Sequence, residues 1–207
     1  MEIYTIGYSG FEINDFINML QTNNINSLID VRSSPYSKIY TDYNREELQK
    51  RLKENGIVYR NYIKEFGARQ KEIKYYPNGY LDFSLFTKSE AFQSGMDKIS
   101  KAIPMGFSFV LMCSEKDPIT CHRSIMIARE FHRNGFAVKH ILSDGRISSQ
   151  EEIERRLVDM YYPDRDQVSL FDSPLPWDTM VKNSYEFQNK KIGYKLESIE
   201  GENDFNE

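Results

Sequence analysis

The stretch FSFVLMCSEKDPITCHRS, residues 107–124, decides the fold and also holds the densest group of reactive side chains in the chain. It opens with an apolar run, which is typical of a strand buried in the middle of a parallel sheet. A polar loop over residues 113–120 follows, and a helix is predicted from about Cys121 to Asn134. A strand, a loop and a helix in this order belong to βαβ units, so the stretch predicts an α/β fold.

The same alternation of elements continues on both sides of this stretch. Short apolar or β-branched segments predict four further strands, at residues 3–6, 27–31, 57–59 and 137–142. Amphipathic spacing predicts helices between and after them, of which the clearest cover residues 45–54, 90–103 and 148–160. We therefore expect a single three-layer domain over residues 1–162, with a mostly parallel sheet and helices on both faces. Prolines and acidic residues after Tyr162 predict an irregular tail over residues 163–207.

Bulk features of the chain argue against a membrane or secreted protein. The apolar run is far too short to cross a bilayer, and the N-terminus has no basic segment followed by an apolar one. The 207 residues include two cysteines, which is unlike a disulfide-stabilised secreted domain. We therefore expect a cytoplasmic protein with no membrane partner and no structural disulfide.

The charge distribution points to a nucleic-acid or nucleotide partner, although the net charge is −4. Residues 44–76 contain nine basic and five acidic side chains, with tyrosines and a phenylalanine between them. Basic groups pair with phosphates and aromatic rings stack on bases, so this segment could face nucleic acid. The alternative is a solvated helix followed by a tyrosine-rich loop that packs on the core.

Three predicted strands end in polar or reactive residues. Ser9 follows the first strand, Arg32 and Ser33 follow the second, and Cys113 ends the central strand. Ligands of open parallel sheets bind outside the carboxyl ends of the strands, at one edge of the sheet. The sequence therefore predicts a site at that edge.

The residue types after the central strand suggest thiol chemistry on an anionic substrate. Cys113 or Cys121 would be the thiolate nucleophile, with His122 and Glu115 handling protons. Arg123, in the first turn of the next helix, would bind phosphate together with Arg32 at the strand edge. The alternative is that Cys113 is buried and inert and that His122 caps the loop.

A metal centre is a second interpretation of the same residues. Cys113, Glu115, Cys121 and His122 could supply four ligands, but the spacing Cys-x7-Cys-His matches no standard zinc motif. Neighbouring residues of a helix would also point in different directions. We therefore assign no metal ligands and no cofactor from the sequence, and iron or zinc stays as an alternative.

Five segments together resemble the family of domain of unknown function 488 (DUF488). They are TIGYSG (5–10), LIDVRSSPYS (28–37), GIVYRNYIKEFGAR (56–69), LMCSEKDPITCHRSIMIA (111–128) and VKHI (138–141). The resemblance covers residues 3–147 and implies an α/β fold with no settled activity, a role in DNA metabolism and, in some cases, bound iron. Tyr8 stands where many members have His, and Ala68 stands where they tend to have Gly before Arg69. With Arg69 added, the predicted substrate-binding or phosphate-binding residues are Ser9, Arg32, Ser33, Arg69 and Arg123.

The tail carries a separate signal, the pentapeptide QVSLF at residues 167–171. It resembles the peptide that binds the bacterial sliding clamp, in which Gln167 would be the polar anchor and Leu170 and Phe171 would enter apolar pockets. The alternative is that Leu170 and Phe171 fold back onto the domain. The clamp is therefore a candidate partner.

These observations together lead to one hypothesis and its rivals. The hypothesis is an enzyme that acts on nucleic acid or nucleotides in DNA maintenance through the loop containing Cys113, Cys121, His122 and Arg123. The rivals are a non-catalytic module that binds nucleic acid or nucleotides, and a protein that binds a metal such as iron.

Overall fold

The structure, a computed structural model, describes residues 1–165 and 175–196 of the chain. Its centre is a six-stranded sheet with the strand order β3-β2-β4-β1-β5-β6. The strands are β1 (Glu2–Gly7), β2 (Ser27–Asp30), β3 (Val58–Asn61), β4 (Phe109–Cys113), β5 (Ala137–Ile141) and β6 (Ile147–Ser149). The first five are parallel, and β6 pairs antiparallel with β5. The prediction of an α/β fold with a mostly parallel sheet is confirmed.

The strand β4 lies inside the sheet, between β2 and β1, as its apolar sequence predicts. Successive side chains of a strand point to opposite faces. Val110 and Met112 pack in the core on one face, whereas Leu111 and Cys113 pack in the core on the other. The strand is therefore buried on both sides, and it places the Cys113 side chain at its carboxyl end.

Helices cover both faces of the sheet, which confirms the predicted three layers. The helices in the described part of the chain are α1 (Ile13–Thr22), α2 (Arg45–Glu54), α3 (Ile63–Phe66), α4 (Phe83–Phe86), α5 (Glu90–Ala102), α6 (Arg129–Arg133), α7 (Gln150–Tyr161) and α8 (Trp177–Ile192). The apolar sides of α1 and α2 pack in one core, and those of α5, α6, α7 and α8 pack in the other. A π-helical segment, Arg123–Ala128, leads directly into α6. No described helix is long and apolar enough to cross a membrane.

The helix α8 corrects the prediction of an irregular tail after Tyr162. Much of its buried side is polar, with Ser184, Gln188 and Asn189 beside Met180 and Tyr185. Hydrogen bonds replace apolar contacts there: Gln188 Nε2 donates to the carbonyl oxygen of Ile119 at 2.6 Å. A helix that buries amides shows only a weak apolar periodicity, which explains why its sequence resembles a loop.

Candidate metal centre

The strands β2, β4 and β1 end at nearly the same level, because their parallel register pairs Asp30 with Met112 and Gly7 with Cys113. A cavity of about 270 Å³ lies at this edge. Seven predicted site residues line it: Arg32, Ser33, Arg69, Cys113, Glu115, Cys121 and His122. The cavity thus lies at the carboxyl ends of the strands, where the sequence predicts a site.

Both thiols of the chain meet a single carboxylate at the inner wall of this cavity. Cys113 Sγ donates to Glu115 Oε2 at 3.0 Å, and Cys121 Sγ donates to the same oxygen at 3.1 Å. The two cysteines are 2% and 1% exposed, whereas the Glu115 residue reaches the surface and its carboxylate is partly enclosed. The carboxylate therefore connects the buried sulfur atoms to the open side of the cavity.

The His122 imidazole lies beside the two thiols, and a backbone carbonyl fixes its far nitrogen. Its Nε2 lies 2.9 Å from the carbonyl oxygen of Val31, which can only accept, so Nε2 carries a hydrogen and donates. Its Nδ1 lies 3.8 Å from Cys113 Sγ and 3.9 Å from Cys121 Sγ. In the neutral ring the Nδ1 lone pair therefore faces both sulfur atoms. A backbone carbonyl that fixes the far nitrogen is the usual support of a metal-binding histidine.

The backbone at Cys121 explains how two neighbouring residues reach one point. Cys121 has φ −125° and ψ 137°, an extended conformation, and the π-helical segment begins only at Arg123. The expectation that Cys121 and His122 diverge on a helix is therefore wrong, because Cys121 precedes the helix. The ligand atoms of Cys113, Cys121 and His122 all lie within 4.8 Å of one another.

The two thiols and the Glu115 carboxyl differ in how readily they ionise. Burial opposes ionisation of Cys121, but hydrogen bonding with Cys113 and the nearby Arg123 charge lower its pKa to about 6. Burial and the neighbouring Cys121 and Glu115 raise the pKa of Cys113. Although burial acts to raise the pKa of Glu115, hydrogen bonds from both thiols lower it to about 2. The carboxylate is therefore ionised at neutral pH, and of the two thiols Cys121 loses its proton more readily than Cys113.

The donor set fits a zinc or iron ion. Two sulfur atoms, one imidazole nitrogen and one carboxylate oxygen are all ligand types that these metals accept. A tetrahedral ion with bonds of about 2.0–2.3 Å separates its ligands by about 3.3–3.8 Å. Each sulfur atom lies 3.8 or 3.9 Å from His122 Nδ1 and 3.0 or 3.1 Å from Glu115 Oε2, which is close to that range.

Arg32 lies at the cavity as predicted, but most of its guanidinium is already engaged. Its Nε and Nη2 donate to the Asp30 carboxylate, and the shortest of these contacts is 2.6 Å. The guanidinium also lies 5.2 Å from the centre of the Tyr8 ring. Nη1 is buried and has no hydrogen-bond partner among the described residues. One donor group of Arg32 thus makes no hydrogen bond within the part of the chain that the structure describes.

Two predicted binding residues do not line the cavity. Arg123 is fully buried, and its guanidinium donates to the carbonyl oxygens of Glu115 and Lys116. Its predicted role as a phosphate ligand is therefore wrong, because it supports the loop from inside. Ser9 contacts this loop through its backbone, whose N–H donates to the Ser114 carbonyl oxygen at 3.1 Å.

Further residues at or beside the cavity are not among the predicted site residues. Asp30 is the ion-pair partner of Arg32, and the short Asp-x-Arg spacing at the end of a strand could have indicated this pair. Ile192 and Tyr194 line the cavity from the end of α8 and the residues after it, a part of the chain predicted to be tail. The residues of the predicted clamp peptide, Gln167, Leu170 and Phe171, lie outside the described residues.

A comparison with family models identifies the domain that carries these donors. The model of the domain of unknown function DUF488 matches residues 12–129. The chain belongs to the DUF488 family. This match confirms the predicted resemblance and includes all four donor residues, whereas α7 and α8 lie beyond it. No curated protein and no solved structure gives a match.

Proposed function

We propose that this DUF488 protein is a metal-dependent enzyme of DNA maintenance that acts on nucleic acid or nucleotides. Cys113, Cys121 and His122 would hold one zinc or iron ion, and Glu115 would be an exchangeable fourth ligand whose position substrate can take. The observation that carries the proposal is the convergence of Cys113, Cys121 and His122, with Glu115 against both sulfur atoms and His122 fixed by the Val31 carbonyl oxygen.

In this proposal the ion supplies the chemistry, and the side chains around it bind the substrate. A bound ion supplies Lewis acidity and, if it is iron, also redox chemistry. Arg32 offers Nη1, and Ser33 and Arg69 line the same cavity. Guanidinium and hydroxyl donors are the groups that bind phosphate oxygens. Glu115 is the donor residue that reaches the surface, so its position on the ion is the one that substrate would take.

Exposed aromatic and apolar side chains on the loop after Arg32 support a nucleic-acid or nucleotide substrate. Tyr36, Ile39 and Tyr40 are all exposed, Ile39 by 84%. The Tyr40 ring lies 5.5 Å from the Tyr8 ring, which in turn contacts Arg32 at the cavity. Exposed rings beside cationic groups are typical surfaces for stacking nucleic-acid bases.

The test is the metal content of the full chain purified after growth with zinc or, anaerobically, with iron. We expect about one ion per chain, and a loss of most of it in Cys113→Ser, Cys121→Ser and His122→Gln, because each change removes one ligand. His132→Gln, at a histidine outside the cluster, is the matched control and should keep the ion. Metal-free wild-type protein under both conditions would overturn the proposal.

A thiol enzyme without a metal is the second candidate, and the lowered pKa of Cys121 favours it. The burial of both sulfur atoms disfavours it, since a nucleophile must reach its substrate. Alkylation by iodoacetamide separates the two candidates. A metal centre predicts slow alkylation that a chelator accelerates, whereas a free thiolate predicts fast alkylation with or without the chelator.

A further inference from the structure

One wall of the cavity comes from outside the DUF488 match. Ile192 ends α8 and Tyr194 follows it, and both line the cavity that holds the donor cluster. The Arg69 guanidinium, from the matched domain, lies 4.6 Å from the centre of the Tyr194 ring. A cation over a tyrosine face at this distance is a favourable contact.

The segment that carries Tyr194 is firmly attached to the domain. The Leu81 N–H donates to the Tyr194 carbonyl oxygen at 2.8 Å, and the Leu196 N–H donates to the Gly79 carbonyl oxygen at 3.1 Å. The Asn189 side chain donates to the Leu81 carbonyl oxygen at 2.8 Å and accepts from the Phe83 N–H at 2.9 Å. This network fixes the position of the Tyr194 ring on the cavity wall.

Arg69 contacts two different walls of the cavity, one through its backbone and one through its side chain. Its backbone N–H donates to Ser33 Oγ at 3.0 Å, on the loop after β2. Its guanidinium rests on the Tyr194 ring, on the segment after α8. Arg69 and Arg32 thus both line a cavity of about 270 Å³. Arg32 Nη1 is buried and has no hydrogen-bond partner among the described residues.

We propose that Tyr194 is a positioning residue, which holds the Arg69 guanidinium so that Arg69 and Arg32 together bind the phosphate group of a phosphate ester. The inference rests on the proposed function and deepens it, because it places the phosphate of the substrate between these two arginines. The cavity volume is near the lower end for small-ligand sites, so one phosphorylated unit is the ligand that it fits.

The test is calorimetric titration of the full chain with thymidine 5′-monophosphate, inorganic phosphate and thymidine. We expect the first two to bind and thymidine not to bind. Arg69→Gln should weaken the binding of thymidine 5′-monophosphate by about tenfold or more, because a charged hydrogen-bond donor is lost. Tyr194→Leu should weaken it about threefold to tenfold, and Tyr194→Phe should restore it because the ring remains.

Three controls separate positioning from folding. Tyr162→Leu removes a tyrosine whose hydroxyl accepts from Asn183 of α8 but which does not line the cavity, and it should keep full affinity. Arg69→Lys, which retains the charge but not the planar group, should lose affinity like Tyr194→Leu. The Arg69→Gln, Tyr194→Leu double variant should bind no more weakly than Arg69→Gln alone.

Several results would overturn the inference. They are equal binding of thymidine and thymidine 5′-monophosphate, no binding of either phosphate probe, additive effects in the double variant, or the same loss in Tyr162→Leu as in Tyr194→Leu. The metal content of every variant is measured in parallel. If Tyr194→Leu keeps the ion and binds phosphate as tightly as the wild type, the result counts against the Tyr194 inference alone. A missing ion in the wild type would instead count against the proposed function.

Discussion

At the scale of single residues, the donor cluster depends on two neighbours that hold its loop. A Cβ atom at Gly7 would lie 1.8 Å from the Glu115 carbonyl oxygen, so only glycine permits this approach of the loop to β1. The same carbonyl oxygen accepts a hydrogen bond from the buried Arg123. The backbone of Glu115 is thus fixed between β1 and the π-helical segment.

This contact makes Gly7→Ala a sharp test of the loop. Because the added methyl group meets backbone rather than a flexible side chain, the loop must move and carry Glu115 away from the thiols. We expect a destabilisation of about 1–3 kcal/mol and a loss of most of the bound metal. Metal analysis and denaturant unfolding measure both effects. Gly106→Ala strains the backbone at φ 93° before the amino end of β4, where the added Cβ meets nothing within 4 Å, so it should lose stability but keep the metal. A Gly7→Ala protein with a full metal content would contradict the role of Gly7.

At the scale of elements, a chain of buried hydrogen bonds joins β1, β5, α7 and α8. His140 Nδ1 lies 2.8 Å from Thr5 Oγ1, and its Nε2 lies 2.8 Å from Gln150 Oε1. The Gln150 amide then donates to the Tyr185 hydroxyl of α8 at 2.6 Å. Because Gln150 Oε1 accepts, His140 Nε2 must donate and Nδ1 accepts from Thr5, so the neutral ring satisfies every partner.

The free energy of unfolding should therefore fall with acid through His140. Burial lowers the pKa of His140 from 6.5 to about 3. Between these two pH values, His140 is protonated in the unfolded chain and neutral in the folded chain. The contribution is complete above pH 6.5 and is lost as the pH falls towards 3, by up to about 1.4 kcal/mol per pH unit.

Urea unfolding at pH 7, 6 and 5 checks this expectation. The variant His140→Gln should be less stable at pH 7, and its stability should depend less on pH than that of the wild type by about one proton. His132→Gln, at a partly exposed histidine, should keep the wild-type slope. Parallel pH profiles for the wild type and His140→Gln would show that His140 does not carry the effect.

At the scale of the whole molecule, local signals predicted the five parallel strands of the sheet and the place of the cavity. The apolar run ending at Cys113 indicated a central strand, and the rule that ligands bind at strand ends then indicated the cavity. Pairings between distant segments could not be predicted in this way. The contact of Arg69 with Tyr194 and the inward turn of Arg123 depend on tertiary packing. The helix α8 could not be predicted from periodicity because it buries amides such as Gln188 rather than an apolar stripe.

The pentapeptide at residues 167–171 remains a prediction about the partners of the whole protein. We expect a purified bacterial sliding clamp to bind the chain weakly through Leu170 and Phe171, since a short peptide must become ordered as it docks. Titration of the clamp with the wild type and with a Leu170→Ala, Phe171→Ala double variant measures this. Equal binding of both proteins, or binding of neither, would eliminate the clamp as a partner.

The most direct test of the central proposal is an X-ray absorption spectrum of the full chain at the edge of its bound metal. If the ion sits among Cys113, Glu115, Cys121 and His122, the first shell contains two sulfur atoms at about 2.3 Å and nitrogen and oxygen atoms at about 2.0–2.2 Å. A first shell with nitrogen and oxygen but no sulfur would place the ion elsewhere and contradict the proposed centre.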